Sequence, residues 1–171
     1  GNDTIIGSSN DELYGGEGDD TLKVDAYAQN AVFVGGKGND VLIGGYYSDR
    51  YVFNLGDGQD TIQEINGGYT NTDVLAFGEG IDADRLWLER TGNDLLITVL
   101  GTEDSVLIKG WYSSSSYQVE QIVLDDGRML TVSETNALVS AMAAFTKPST
   151  GESSIPEAYR SELMPQIVAN W

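Results

Sequence analysis

Aspartates that follow closely spaced glycines recur about every nine residues in the first part of the chain. The clearest copy is residues 35–43, Gly-Gly-Lys-Gly-Asn-Asp-Val-Leu-Ile, and residues 15–23 form a second. Both fit the nonapeptide G-G-x-G-x-D-x-U-x, in which U is a large apolar residue that points inward. The glycines permit tight turns and bring backbone carbonyls close to an ion, and the aspartate adds a carboxylate. Ca²⁺ binds six to eight such oxygens, so the pattern predicts calcium-binding loops.

The candidate ligands are the sixth residue of each copy and the glycines of the loops. By their sixth position, the copies lie at Asp3, Asp11, Asp20, Asn30, Asp40, Asp49, Asp60 and Asp73. The predicted metal ligands are Asp3, Asp11, Gly16, Gly18, Asp20, Gly36, Gly38, Asp40, Gly45, Asp49, Gly56, Gly58, Asp60 and Asp73. At six to eight oxygens for each ion, we expect roughly four to six Ca²⁺ ions.

Alternate copies share one side of a coil if two nonapeptides make a full turn. One side then presents Asp3, Asp20, Asp40 and Asp60, and the other presents Asp11, Asn30, Asp49 and Asp73. Residues 24–34 lack a glycine pair, residues 7–11 are one residue short, and residues 44–49 lack the fourth-position glycine. An ordinary turn explains any single copy, but not two complete copies with several partial ones in register. Because Gly1 already occupies a fourth position, we expect the chain to begin inside a larger protein.

The composition limits the possible functions. The chain has 27 acidic and 9 basic residues, a formal charge of −18, which disfavours binding to nucleic acid or anionic lipid. Cysteine is absent, which excludes disulfides and thiol chemistry. Histidine is absent too, which removes the commonest general base and the usual catalytic triads. No apolar stretch reaches the length of a membrane-spanning helix.

Three segments follow from the pattern, and together they predict an all-β fold. Residues 1–75 should form a calcium-bound parallel β-roll of short strands. Residues 76–132 should form an antiparallel sheet that caps the open end of the roll, with strands near 85–90, 94–100, 105–111, 117–124 and 128–132. Residues 133–171 should hold a short C-terminal helix and a secretion signal.

The C-terminal segment has two helical signals. Ser133 is a suitable N-cap, and Leu138, Met142 and Phe145 share one helical face, which predicts packing on the sheet. Residues 147–154 are a linker, and a second short helix should have Pro156 as its first residue. The position of the last residues alone predicts a frayed tail.

The nonapeptides resemble those of the RTX family of exported bacterial proteins. Residues 53–62, 73–75, 90–97 and 110–112 resemble the haemolysin-type calcium-binding related segment of that family. Residues 138–143 and 168–171 are similar to the C-terminal tail of an RTX toxin. The resemblance implies a secreted, extracellular or cell-surface protein of bacteria. It also implies export by type I secretion machinery that reads the uncleaved C-terminal segment.

The leading hypothesis is a non-catalytic, monomeric module that folds when it meets calcium outside the cell. A second hypothesis is an adhesin module that binds a glycan or receptor through Tyr46, Tyr47, Tyr69, Tyr112 and Tyr117. A third is an enzyme with a carboxylate pair, although the repeats already account for most acidic residues.

Overall fold

The computed structural model describes residues 1–65 and 71–171, and Tyr69 of the glycan-binding hypothesis lies outside them. Within these residues the chain forms thirteen strands and two α-helices. The strands are β1 Thr4–Gly7, β2 Glu12–Glu17, β3 Thr21–Val24, β4 Val32–Lys37, β5 Val41–Ile43, β6 Arg50–Phe53, β7 Gln59–Gln63, β8 Val74–Phe77, β9 Leu86–Thr91, β10 Asp94–Val99, β11 Ser105–Ile108, β12 Gln121–Val123 and β13 Met129–Thr131. The helices are α1 Val132–Met142 and α2 Glu157–Asn170. Short 3₁₀ turns occupy Ala83–Arg85 and Ser115–Tyr117.

The first eight strands wind as a parallel β-roll. Odd-numbered strands pair in parallel in the order β1-β3-β5-β7, and even-numbered strands pair as β2-β4-β6-β8. Inward and outward side chains alternate along these strands, so Leu22, Leu42 and Phe33 belong to one buried apolar cluster. The prediction of a parallel roll with the apolar repeat residue inside is confirmed.

The cap continues both sheets of the roll. β11 pairs in parallel with β7, and β10 and β9 follow it antiparallel in a seven-stranded sheet. β12 pairs in parallel with β8, and β13 follows it antiparallel in a six-stranded sheet. The open end of the roll is therefore closed by direct backbone pairing, which satisfies the edge groups of its last coil.

Helix α1 covers the cap, and its N-cap residue is Thr131. The Thr131 N–H and hydroxyl donate to Glu134 Oε2 at 2.8 Å and 2.7 Å. The expected cap at Ser133 is wrong, because Glu134 reaches back three residues to form a capping box with Thr131. Leu138 and Met142 are buried on the face that was predicted to pack.

Helix α2 packs against α1. Ile155, Leu163 and Ile167 are buried, and the rings of Phe145 and Tyr159 lie 4.9 Å apart. The helix begins one residue after Pro156. The expected frayed tail is wrong, because apolar residues spaced along the helix are buried in the shared core. Neither described helix is long and apolar enough to span a bilayer.

Candidate metal sites

Aspartates form a ladder along what we call the first edge, the turns that connect β2 to β3, β4 to β5 and β6 to β7. The Asp20 N–H donates to Asp40 Oδ1 at 2.7 Å, and the Asp40 N–H donates to Asp60 Oδ1 at 3.0 Å, and each acceptor lies 20 positions after its donor in the sequence. The Asp3 N–H donates to Asp20 Oδ1 at 2.6 Å. These four residues lie on one side of the roll, as the spacing predicts.

Each buried aspartate of this ladder has a second oxygen without a partner. Asp20, Asp40 and Asp60 are 1 %, 1 % and 2 % exposed. Their Oδ2 atoms are buried and accept no hydrogen bond from the described residues. A buried carboxylate oxygen without a partner is costly, so this row of unpartnered oxygens fits a row of cations.

Glycines shape the turns of the first edge. Gly16, Gly18, Gly36, Gly38, Gly56 and Gly58 all have positive φ. A Cβ on Gly38 would overlap the Gly18 carbonyl oxygen, and a Cβ on Gly58 would overlap that of Gly38. Backbone carbonyls from neighbouring coils thus approach each other closely, and carbonyl oxygens are calcium ligands.

Two further buried carboxylates lie where the first edge meets the cap. Asp104 Oδ2 accepts the Gly56 N–H at 2.7 Å, and Asp57 Oδ2 accepts the Asn54 N–H at 2.7 Å. Both aspartates are buried. Neither was predicted. Asp57 occupies the third position of its repeat, and Asp104 lies in the turn between β10 and β11, where no repeat spacing marks it.

A second ladder follows the second edge, the turns that connect odd-numbered strands of the roll to even-numbered ones. The Asp49 N–H donates to Asp73 Oδ1 at 2.8 Å, and the Asp73 N–H donates to Glu120 Oε2 at 2.7 Å. Asp49 Oδ1 accepts the N–H of Ala31 at 3.0 Å. The placement of Asn30 in this row is therefore wrong, since Ala31 occupies that step.

Asn30 bonds a residue of the preceding coil, and the Asp11 side chain bonds its own turn. Asn30 has a φ of 54° and donates through its side-chain amide to Asn10 Oδ1 at 3.3 Å. Asp11 is exposed, and its Oδ2 accepts the N–H and hydroxyl of Ser8 at 2.8 Å and 3.0 Å. On the same edge, the Gly45 N–H donates to Asp49 Oδ2 at 2.8 Å. Calcium binding by Asp3, Asp11, Gly45 and the other predicted ligands stays a prediction.

Burial raises the pKa of several ladder carboxyls. The pKa of Asp60 is raised to about 8 by desolvation, with smaller contributions from the neighbouring carboxylates Asp40, Asp57 and Asp104. The pKa of Asp73 is raised to about 8 by desolvation, with Glu120 and Asp49 adding to it. Burial also raises the pKa of Asp40 and Asp49. Without a cation, the folded form therefore holds protons that the unfolded chain has lost at neutral pH.

In the calcium-free chain, we expect stability to fall as the pH rises from about 4 to about 8. Asp60 and Asp73 have folded pKa values near 8 against about 3.9 in an unfolded chain, so the folded form binds more protons throughout this window. The stabilisation is fully present below about pH 4 and is lost as the pH passes through about 8. Thermal unfolding of the chelated chain, followed by circular dichroism, measures this effect.

The calcium-loaded chain is the control for this pH dependence. Ca²⁺ binds ionised carboxylates, so calcium affinity should rise with pH over the same range. A melting temperature of the chelated chain that rises with pH would contradict the raised pKa values.

The described tyrosines of the glycan-binding hypothesis differ in exposure. Tyr117 is exposed, whereas Tyr46, Tyr47 and Tyr112 are half-buried. The ring of Tyr46 meets that of Tyr27 edge-on at 5.2 Å, and the Arg90 guanidinium lies 4.5 Å from the Tyr112 ring centre. Glycan binding stays a prediction.

Comparison with known proteins identifies a matching calcium-binding domain family and a similar protein. Residues 94–134 match the family model of the haemolysin-type calcium binding protein related domain. A stretch of 83 residues, 47% of the chain, is 36% identical to the iron-regulated protein FrpA of Neisseria meningitidis serogroup C and spans 7% of FrpA. The chain thus represents a small part of this relative.

A solved structure shares the fold. The extracellular lipase LipA from Serratia marcescens matches with a TM-score of 0.54 and 27% sequence identity, over 72% of this chain and 19% of the lipase. Together with the repeats, the family match supports the RTX family and calcium as the ion bound. The oxygen-rich ladders agree with that ion, since their donors are carboxylates and carbonyls.

Proposed function

We propose that this chain is a non-catalytic calcium-binding RTX module that drives folding after export. The observation that carries the proposal is the ladder of Asp20, Asp40 and Asp60. The Oδ1 atom of each of these side chains accepts a backbone N–H from the preceding coil, and its Oδ2 atom is buried without a partner among the described residues. Calcium at these oxygens would neutralise the carboxylates and link successive coils of the roll.

The difference in calcium concentration between the inside and the outside of the cell would control when the chain folds. Cytosolic calcium is low, so the acidic loops repel one another and the chain stays unfolded enough to thread a channel. Extracellular modules bind calcium with dissociation constants of roughly 10⁻⁴–10⁻³ M, which suits an environment with millimolar calcium. The free energy of metal binding then becomes free energy of folding. We propose roughly four to six ions, shared between the two edges.

Residues 133–171 are proposed to carry the type I secretion signal. Support comes from the resemblance, seen in the sequence alone, of residues 138–143 and 168–171 to the C-terminal tail of the bidirectional adenylate cyclase–haemolysin toxin, and from the match to an extracellular lipase. The proposed roles divide the chain into a calcium-binding roll at 1–75, a cap at 76–132 and the signal at 133–171. The module is proposed to act as a monomer in an exported bacterial protein.

Replacing Asp40 with Ala tests the ladder. The change removes the carboxylate that accepts the Asp20 N–H and leaves that donor without its acceptor, while the backbone N–H of residue 40 can still donate to Asp60 Oδ1. We expect folding of Asp40→Ala to need several times more calcium, because an unsatisfied buried donor alone costs about 1–3 kcal/mol. Calcium titration followed by far-UV circular dichroism gives the midpoint.

Asp11→Ala is the matched control. Asp11 is exposed, and within the described residues its side chain bonds only Ser8 of its own turn, so removing that side chain should move the midpoint little. Equal midpoints for Asp40→Ala and Asp11→Ala would reject the ladder as the calcium site. A wild-type chain that takes up no calcium would reject the proposed function itself.

A further inference from the structure

Three carboxylates converge on the second edge beside the cap. One ligand oxygen from each of Asp49, Glu64 and Asp73 lies within 4.8 Å of the other two, and all three residues are buried. Asp49 and Asp73 belong to the repeat pattern, whereas Glu64 follows β7 and occupies no sixth position. None of the ion pairs in residues 1–65 and 71–171 involves these three carboxylates. When ionised, such a buried group of like charges is stable only beside a cation, and otherwise its members take up protons.

A tyrosine of the apolar core positions the Glu64 carboxylate through a hydrogen bond. The Tyr51 hydroxyl donates to Glu64 Oε1, and the Tyr51 ring is fully buried and stacks on Phe33 at 5.0 Å. The other oxygen, Glu64 Oε2, is buried and has no hydrogen-bond partner among the described residues. One oxygen is thus fixed in place, and the second is left for a ligand.

Gly44 keeps the space beside these oxygens open. A Cβ at this position would lie 2.9 Å from Glu64 Oε1 and 3.0 Å from Asp49 Oδ2, and it would overlap the Tyr51 hydroxyl oxygen. The backbone of Gly44 therefore forms one wall of the carboxylate group. Any other residue here would displace the oxygens that converge.

We infer that Asp49, Glu64 and Asp73 form a calcium site of their own, with Glu64 as a ligand outside the repeat and Tyr51 as its positioning residue. The choice of calcium rests on the proposed function, while the site rests on the geometry. Calcium affinity rises with the charge and rigidity of the ligand set. A rigid site with three carboxylates should therefore fill at lower calcium than the first-edge sites. Since Asp73 also bonds Glu120 of the cap, this ion joins the last coil of the roll to the cap.

Native mass spectrometry of the 171-residue chain during a calcium titration counts the ions as they bind. Glu64→Gln keeps the shape of the side chain and removes its charge, so we expect the loss of the ion that binds first. Tyr51→Phe keeps the ring stack and removes the hydroxyl. Loss of such an outer partner of a metal ligand should weaken the first ion by roughly 10–100-fold.

An exposed pair provides matched controls. The Tyr14 hydroxyl donates to Glu12 Oε2 at 2.6 Å on the surface, so Glu12→Gln and Tyr14→Phe make the same chemical changes away from the site. Both controls should bind every ion as the wild type does. If Glu64→Gln and Glu12→Gln bind the same number of ions with the same midpoints, the inferred site is wrong.

A further variant covers the case in which Glu64→Gln does not fold. Glu64→Asp keeps the charge but withdraws the carboxylate from the group, and a weaker first ion supports the site. A first ion of wild-type affinity in Glu64→Asp overturns it. No calcium uptake by the wild type rejects the proposed function and this site together, whereas normal wild-type uptake with unchanged Glu64 variants rejects this site alone.

Discussion

Without calcium at about pH 8, residues 1–75 should lack stable β-structure, and millimolar calcium should restore it in one cooperative transition. The described part of the fold buries eight acidic side chains, namely Asp20, Asp40, Asp49, Asp57, Asp60, Glu64, Asp73 and Asp104. Burying an ionised carboxylate without a counter-ion costs several kcal/mol. A typical domain has a net stability of only about 5–15 kcal/mol. Either this cost or the cost of protonating the carboxyls at about pH 8 lowers the stability of the calcium-free roll, so we expect it to unfold.

Far-UV circular dichroism of the chelated chain, followed by a calcium titration, measures this transition. Magnesium is the control, and it should substitute poorly because it demands tight octahedral geometry and loses its water reluctantly. The transition should be cooperative, since each coil contacts only its neighbours and each ladder carboxylate bonds the coil before it. A chelated sample with an unchanged β spectrum would show that calcium is not needed for folding.

The repeat spacing predicted the first edge well because that edge is local in sequence. A copy of nine residues places its glycines in the turn and its apolar residue in the strand, so the stack of Asp20, Asp40 and Asp60 follows directly. The parallel pairing of β3 with β5 and of β5 with β7 then has little freedom, since a slip by one residue would turn Leu42 out of the core.

On the second edge, the repeat spacing did not predict the register, because the repeats there are incomplete. In residues 24–34 no glycine pair marks the turn, so the spacing predicts Asn30 at the sixth position of this copy. The strand pairing instead aligns Val32 with Glu12 and Arg50, which places Ala31 between Asp11 and Asp49. Register there is set by the apolar side chains of β4, and the sequence of the loop does not reveal it.

Glu64, Asp104 and Glu120 were missed because their surroundings are made by distant parts of the chain. Asp104 reaches Gly56 from a turn 48 residues later, and Glu120 reaches Asp73 across 47 residues. Glu64 meets Tyr51 in the core after a strand whose repeat has already ended. A repeat of fixed period does not identify such residues. The strand pairing places them beside the ladders.

For the C-terminal helices too, the sequence pattern predicts packing without identifying the partner. The stripe of Leu138 and Met142 predicted that α1 would pack, but it did not identify the partner. In the structure, Met142 Sδ accepts the Leu88 N–H at 3.2 Å, so α1 covers β9, the edge strand of the seven-stranded sheet. Helix α2 then covers α1, which gives the tail a structural role that its position in the sequence does not suggest.

Deleting residues 133–171 should strongly raise the calcium needed for folding or prevent folding. The deletion removes Leu138, Met142 and Leu163 from the core and uncovers the edge strand β9. Burial of each such side chain contributes roughly 1.5–3 kcal/mol, and together these losses approach the net stability of a typical domain. If the cap nucleates the coils, as its direct pairing with β7 and β8 allows, a weakened cap slows every later step. The calcium midpoint and the refolding rate, both followed by circular dichroism, measure the effect.

Deleting only residues 155–171 should have a smaller effect on folding and a large effect on export. This change removes α2 with Leu163 and Ile167 but leaves α1 on β9, so the midpoint should move part of the way. Leu163→Ala should reproduce much of that shift, since such a change in a core costs about 2–5 kcal/mol, whereas the exposed Val168→Ala should not. Secretion of each form by cells with a type I system separates the two roles. Normal export of the shorter chain would place the signal in α1, and unchanged folding without residues 133–171 would reject nucleation from the C-terminus.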